Sequence, residues 1–203
     1  MRSVLLFLII GLSNSALAQD KNMLVLGDSI SSGYGLGLEQ GWVYLLQQRL
    51  IDLGYRYEVK NASISGDTTR GARKRLGKIL EQQHVHISIV ELGGNDGLRG
   101  LSLKEISANL DAIISKLENS GSLVLLVPMR LPPNYGPVYN DRFEALYRDI
   151  AEKYDIDLAT FILKDVAEHA ELMQSDGIHP RAEAQTTMLD NIWDSLQPLL
   201  GQQ

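Results

Sequence analysis

The sequence predicts an α/β protein built on a mainly parallel, five-stranded sheet covered by helices on both faces. Short apolar runs alternate with helix-length amphipathic segments along most of the chain, a pattern that calls for right-handed crossovers between parallel strands. The run from Val85 to Leu92, interrupted at His86 and Ser88, reads as a central strand buried on both sides. The apolar runs also stop abruptly at small and polar residues, as in Gly27-Asp28-Ser29 and Gly93-Gly94-Asn95. In such sheets the loops leaving the carboxyl ends of the strands share one edge, and ligands bind there.

Met1-Arg2-Ser3, the apolar stretch Val4 to Leu12 and then Ser15-Ala16-Leu17-Ala18 have the three parts of a secretory signal peptide. The stretch is too short to span a bilayer well. Cleavage after Ala18 is expected, leaving residues 19–203 as one domain, periplasmic or secreted, with no integral membrane span after processing. The first strand, Met23 to Leu26, ends in the Gly27-Asp28-Ser29 turn. From Glu39 to Leu53, apolar residues at Trp42, Leu45, Leu46, Leu50 and Leu53 mark a helix that stops at Gly54. Tyr55 to Lys60 alternates as a strand and runs into the loop Asn61 to Thr69. A polar, basic helix is predicted over 68–83, with Gly71 and Gly77 weakening its continuity.

The third strand ends in Gly93 to Gly100, a loop too glycine-rich to predict as strand or helix. A helix over 102–119 follows, with Ser102 and Glu105 placed as a capping box. Leu123 to Val127 is the fourth strand, stopped by Pro128, and Met129 to Pro137 is an irregular excursion carrying three further prolines. A helix over 139–154, a weaker strand over 156–161, a short helical stretch over 166–172 and a final helix over 181–196 complete the chain.

Ser29 stands at the tip of the first strand-to-loop junction, where a hydroxyl is a candidate nucleophile; Asp28 or Ser29 also suits the cap of the next helix. A serine becomes nucleophilic when an adjacent base removes its proton, and histidine serves as that base when a carboxylate fixes its tautomer. Ser175-Asp176-Gly177-Ile178-His179-Pro180 places an acid within reach of an imidazole, and it also suits a helix entry with Asp176 as turn former. Acyl transfer further needs donors for a developing oxyanion. The N–H groups of Ser29 and Gly66 and the Asn95 amide are candidates. For Gly66 a positive-φ turn, and for Asn95 an Asx-turn, are the structural alternatives. His84, His86 and His169 show no convergent metal-ligand spacing.

The ordered set Gly27-Asp28-Ser29, Ser63-Ile64-Ser65-Gly66-Asp67, Gly94-Asn95-Asp96 and Asp176-Gly177-Ile178-His179-Pro180 resembles the four sequence blocks of the SGNH (GDSL) hydrolase superfamily. The likeness spans essentially the whole mature chain. Within the superfamily, Asn61 to Thr69, Glu91 to Gly100 and Arg130 to Gly136 resemble the bacterial periplasmic thioesterase I group, also called lysophospholipase L1 or arylesterase. The resemblance implies a three-layer, flavodoxin-like α/β/α fold and hydrolysis of acyl thioesters, aryl and alkyl esters and lysophospholipids through an acyl-enzyme. It implies Ser29 as nucleophile, His179 as base, Asp176 as its orienting acid, and Ser29, Gly66 and Asn95 as the oxyanion hole. It implies no cofactor or metal. The segment Gly97 to Gly100 resembles one that moves on acyl-chain binding, so Leu98 is a candidate substrate contact, as is Arg130 in the proline-rich excursion.

A formal net charge of -6 argues against nucleic acid as a partner, and the absence of cysteine excludes disulfides and a thiol nucleophile. A monomer acting on a small acyl ester, thioester or lysophospholipid is expected. The alternative enzymatic reading is a carbohydrate O-acetyl esterase of the same superfamily, which acetyl preference would reveal. A non-catalytic periplasmic lipid- or glycan-binding protein is the third, and a folded protein unreactive to a fluorophosphonate probe would identify it. The signal reading predicts that the exported protein begins at Gln19; intact-mass analysis showing an N-terminus at Met1 would overturn it.

Overall fold

The computed structural model describes residues 21–201, and the expected signal segment lies outside them. Strand β1 (Lys21–Gly27) leads through the single turn of α1 (Ser29–Ser32) to α2 (Trp42–Asp52). Strand β2 (Tyr57–Asn61) is followed by α3 (Thr69–Gln82), and β3 (Ile87–Glu91) by α4 (Gly94–Leu98) and α5 (Leu103–Asn119). Strand β4 (Leu123–Val127) precedes α6 (Pro137–Tyr154), and the two-residue β5 (Asp157–Leu158) precedes α7 (Gln185–Leu200).

The sheet has five strands in the order β2-β1-β3-β4-β5, with every neighbouring pair parallel. Because successive strand residues point to opposite faces, Met23, Val25, Ile87, Ile89, Leu125 and Val127 meet α2 and α7 on one side, against Trp42, Leu46, Met188 and Ile192. Leu24, Leu26, Val90, Val124 and Leu126 face the other way, onto Leu76 of α3, Leu110 and Ile113 of α5, and Phe143 and Tyr147 of α6. Two cores thus sandwich the sheet in the expected α/β/α layers. Each fully buried aliphatic or aromatic side chain contributes about 1.5–3 kcal/mol, which explains why the strands are apolar on both faces.

The carboxyl ends of the strands share the edge marked by Gly27, Asn61, Glu91 and Val127. The opposite edge carries Lys21 in register with Tyr57. Helix α7 finishes beside it, where the Tyr57 hydroxyl donates to the Leu200 carbonyl (3.4 Å).

Several local expectations are corrected. The glycine-rich segment after β3 contains the short helix α4. Its glycines serve close packing, since a Cβ at Gly97 would lie 2.6 Å from Leu131 Cδ2 and 3.0 Å from Phe143 Cε2. Ser102 caps α5 without a side-chain hydrogen bond, and the Glu105 carboxylate accepts from Arg70 Nε (2.9 Å) across to α3, so no capping box forms. Residues 166–172 form turns and a 3₁₀ turn (Ala170–Leu172). The last helix starts later than expected and continues through Pro198, because Leu199 and Leu200 are buried and that burial outweighs one missing backbone bond.

A buried polar network fixes α4. Thr69 gives its N–H to Asp96 Oδ2 (2.9 Å) and its hydroxyl to Asp96 Oδ1 (2.6 Å), while Asn109 Nδ2 donates to Thr69 Oγ1 (3.2 Å). It joins α3, α4 and α5, and Asp96 is fully buried. Thr69→Val removes a hydroxyl that serves both partners, so a loss of about 1–3 kcal/mol in stability is expected by urea denaturation. An unchanged midpoint would show that the network does not hold α4.

Candidate active site

At the end of β1 the chain turns sharply. Asp28 precedes α1 in a non-helical conformation, and its Oδ1 accepts from the Ile30 N–H (3.1 Å), which is the N-cap bond. Ser29 is therefore the first helical residue, only 9% exposed, and none of the hydrogen bonds holding the turn uses its hydroxyl.

Two neighbouring segments are tied to this turn. Asn61 Nδ2, at the end of β2, donates to the Ser31 carbonyl (2.8 Å), and the Ser32 and Ser65 hydroxyls share a hydrogen bond (2.7 Å). Gly66 occupies the third position of the turn closed by Asp67 N–H to the Ile64 carbonyl (3.0 Å), with φ +78. That conformation favours glycine. Its carbonyl accepts from Arg99 Nη2 (3.1 Å). From the first turn of α4, Asn95 Nδ2 donates to Asp28 Oδ2 (2.9 Å). This bond spends one of the two amide hydrogens and leaves the second available.

The far end of the chain arrives at the same place. Asp176 Oδ2 lies 2.7 Å from His179 Nδ1, and Asp176 Oδ1 accepts from the N–H groups of Ile178 (2.9 Å) and His179 (3.0 Å). With Nδ1 engaged, Nε2 is the ring nitrogen left for a reaction partner. Gln174 staples the loop, its N–H donating to the His179 carbonyl (2.7 Å) and its Nε2 to the carbonyls of Tyr34 (2.8 Å) and Pro180 (3.1 Å). Tyr34 completes the link: its N–H donates to the Ser29 carbonyl (3.1 Å), and its ring lies 4.4 Å from the imidazole between centroids. The structure thus brings Ser29, Gly66, Asn95, Asp176 and His179 to one edge. The cleft of about 500 Å³ between α2 and α7, lined by Leu45, Arg49, Leu189 and Trp193 among others, contains none of them.

The acids divide by environment. The His179 amide, the His179 ring and the Ile178 amide hold the Asp176 carboxyl down at about 2, so it stays ionised beside the imidazole. Burial pushes Asp28 the other way, from 3.8 to about 6, against the lowering effect of its bonds from Ile30 and Asn95. Beneath the turn, Glu91 is fully buried, with Oε2 hydrogen-bonded to Ser31 Oγ (2.6 Å) and Oε1 without a partner among the described residues. Burial, then the nearby Asp28 charge, drive its pKa well above the usual carboxyl range, which favours the protonated form.

Sequence reasoning missed Glu91, Tyr34 and Gln174. A carboxylate at the end of an apolar central strand is itself a signal; an aromatic in a glycine-rich loop and a lone Gln give none. Of the two candidate substrate contacts, Leu98 is half-buried at the end of α4, where its carbonyl accepts from the Tyr135 hydroxyl (2.7 Å). Arg130 is engaged by Glu144 (3.2 Å) and lies over the Phe161 ring (5.2 Å).

Residues 25–186 match the GDSL-like Lipase/Acylhydrolase family. The chain is 46% identical over 189 residues to the esterase TesA of Pseudomonas aeruginosa, covering 93% of each protein. It is 39% identical over 196 residues to the thioesterase 1/protease 1/lysophospholipase L1 of Escherichia coli K12, covering 97% of this chain and 92% of that protein. A crystal structure of TesA, 46% identical, superposes with a TM-score of 0.86 over 88% of this chain and 99% of that one.

The raised pKa of Glu91 gives a signed pH test. Above pH 4.5 the unfolded chain releases the Glu91 proton while the folded chain keeps it, so wild-type stability falls relative to Glu91→Gln as pH rises. In urea denaturation the change is expected to approach about 1.4 kcal/mol per pH unit just above the usual carboxyl range and to level off once the folded-state pKa is passed. A stability difference that stays the same above pH 4.5 would show that Glu91 ionises in the folded protein.

Proposed function

The chain belongs to the GDSL-like lipase/acylhydrolase family, and from that premise we propose that it is a serine hydrolase of fatty-acyl thioesters, aryl and alkyl esters and lysophospholipids. The names of the relatives, an esterase and a thioesterase/lysophospholipase, support this substrate range. The observation that carries the mechanism is the Asp176–His179 pair, 2.7 Å apart, joined through Tyr34 to a serine whose hydroxyl has no hydrogen-bond partner among the described residues.

In this reading His179 Nε2 takes the Ser29 proton as Oγ attacks the acyl carbonyl carbon, and Asp176 stabilises the resulting imidazolium through Nδ1. Charge collects on the former carbonyl oxygen. The Ser29 and Gly66 N–H groups and the second Asn95 amide hydrogen receive it. Losing one such donor typically costs about 2.7–4 kcal/mol in the transition state. Collapse expels the thiol or alcohol, protonated by His179, and leaves Ser29 acylated. Water, deprotonated by the same imidazole, then releases the carboxylic acid and restores Ser29.

We further read residues 1–18 as a cleaved export signal and place the mature hydrolase, residues 19–203, in the periplasm or outside the cell.

The test is the initial hydrolysis rate of p-nitrophenyl esters from acetyl to palmitoyl by mature protein and by Ser29→Ala. Medium-to-long-chain preference, reduced about 10⁶-fold in the variant, is expected. Activity confined to acetyl esters would indicate the O-acetyl esterase, and equal rates in the two proteins would remove Ser29 from the mechanism.

A further inference from the structure

Of the seven large apolar side chains exposed among the described residues, Ile51 and Leu53 stand at the end of α2 and Val138 at the start of α6, while the other four share one end of the molecule. Tyr34 (52% exposed), Leu38 (98%), Ile64 (51%) and Ile178 (42%) all stand on loops at the carboxyl edge of the sheet. These loops are mutually close: the Ile64 N–H donates to the Gly27 carbonyl (3.1 Å), and Tyr34 lies against His179, the neighbour of Ile178. Leu38 is presented at the tip of a turn in which Gln40 N–H donates to the Gly37 carbonyl (3.1 Å) and Gly37 N–H donates to Gln40 Oε1 (2.8 Å). Nothing inside the fold accounts for a leucine at that tip. Single exposed apolar residues are ordinary, but a group around one site marks an interaction face.

Charge is also distributed unevenly. The chain carries a net charge of -6, yet α3, which begins three residues after Gly66, holds Arg70, Arg73, Lys74, Arg75 and Lys78 against the single acid Glu81. Arg70 is paired with Glu105 of α5 and Arg75 with Asp67, which leaves Arg73, Lys74 and Lys78 as the exposed cations of α3 with no carboxylate partner among the described residues, and the exposed Arg99 reaches the Gly66 carbonyl at the rim of the site. The basic flank therefore adjoins the apolar loop tips.

We propose that this face docks on an anionic phospholipid surface, with Leu38, Ile64 and Ile178 entering the headgroup layer and the α3 cations facing the lipid phosphates. Projecting tips on separate loops suit a fluid interface, which moulds around them, and the adjoining cations complement its negative charge. The orientation would set the Ser29 site against the surface from which a lysophospholipid is taken. In choosing lipid as the partner the proposal rests on the serine hydrolase reading.

The test is co-sedimentation of mature wild-type protein with vesicles of ether-linked phosphatidylcholine, with or without ether-linked phosphatidylglycerol, lipids that offer no acyl ester to cleave. Binding that requires phosphatidylglycerol and weakens with added salt is expected. Leu38→Asp should weaken it about tenfold or more, as should the paired change Arg73→Glu with Lys74→Glu. Hydrolysis of a soluble short-chain ester should stay within about twofold of wild type in both variants, which also reports that they fold.

Absence of vesicle binding, or binding indifferent to all three substitutions, would overturn the proposal. So would concentration-dependent dimerisation abolished by Leu38→Asp, which would make the occupant a second copy of the chain. Lack of soluble-ester hydrolysis by the wild type would instead defeat the hydrolase reading, while the vesicle partition would still decide the docking.

Discussion

The Asp28 carboxylate holds the site together by using its two oxygens for different partners. Oδ1 closes the first turn of α1, which fixes Ser29, and Oδ2 holds the Asn95 amide at the start of α4. A side chain only 2% exposed thus sets two elements from different strands in register with each other. The α4 end of this link is fixed independently by Asp96 and Thr69, so Asn95 is positioned from two directions. In the proposed mechanism, such double anchoring would keep the Asn95 donor aimed without reorganisation at the moment charge develops.

The arrangement has an electrostatic cost. Asp28 and Glu91 are both buried, and burial drives the carboxyls of both upward. Two adjacent buried carboxylates are unfavourable, and keeping the proton on Glu91 relieves the repulsion. Glu91 fills the space beneath the turn, hydrogen-bonded to Ser31 while Asp28 serves Ile30 and Asn95. Asp176 is the contrasting case, a more exposed acid surrounded by donors and held ionised by them. Environment alone separates the roles of these acids.

The layered fold is legible because the strands bury both faces and the long helices show apolar stripes: the expected fourth strand coincides with β4, Leu123–Val127, and the expected helix over 102–119 with α5. The errors lie where tertiary contacts override local preference. Gly97 argues against a helix in isolation, yet its missing side chain is what seats α4 on Leu131 and Phe143. Ser102 and Glu105 have capping-box spacing, but Arg70 on another helix takes the carboxylate. At the site, the residues carrying recognisable motifs were readable, and the structure brings them to one edge. Tyr34 and Gln174 were not readable, because their contacts join positions more than a hundred residues apart and leave no periodic trace.

Strand β1 begins at Lys21 beside Tyr57, and α7 ends at Leu200 beside the same tyrosine. Both ends of the described chain therefore emerge at the amino edge of the sheet, opposite Ser29 and His179. Coupling the protein to a bead or electrode through either end would leave the edge that carries the candidate site pointing outward, with the length of the strands between support and substrate. Immobilised in this way, the molecule would arrive already oriented.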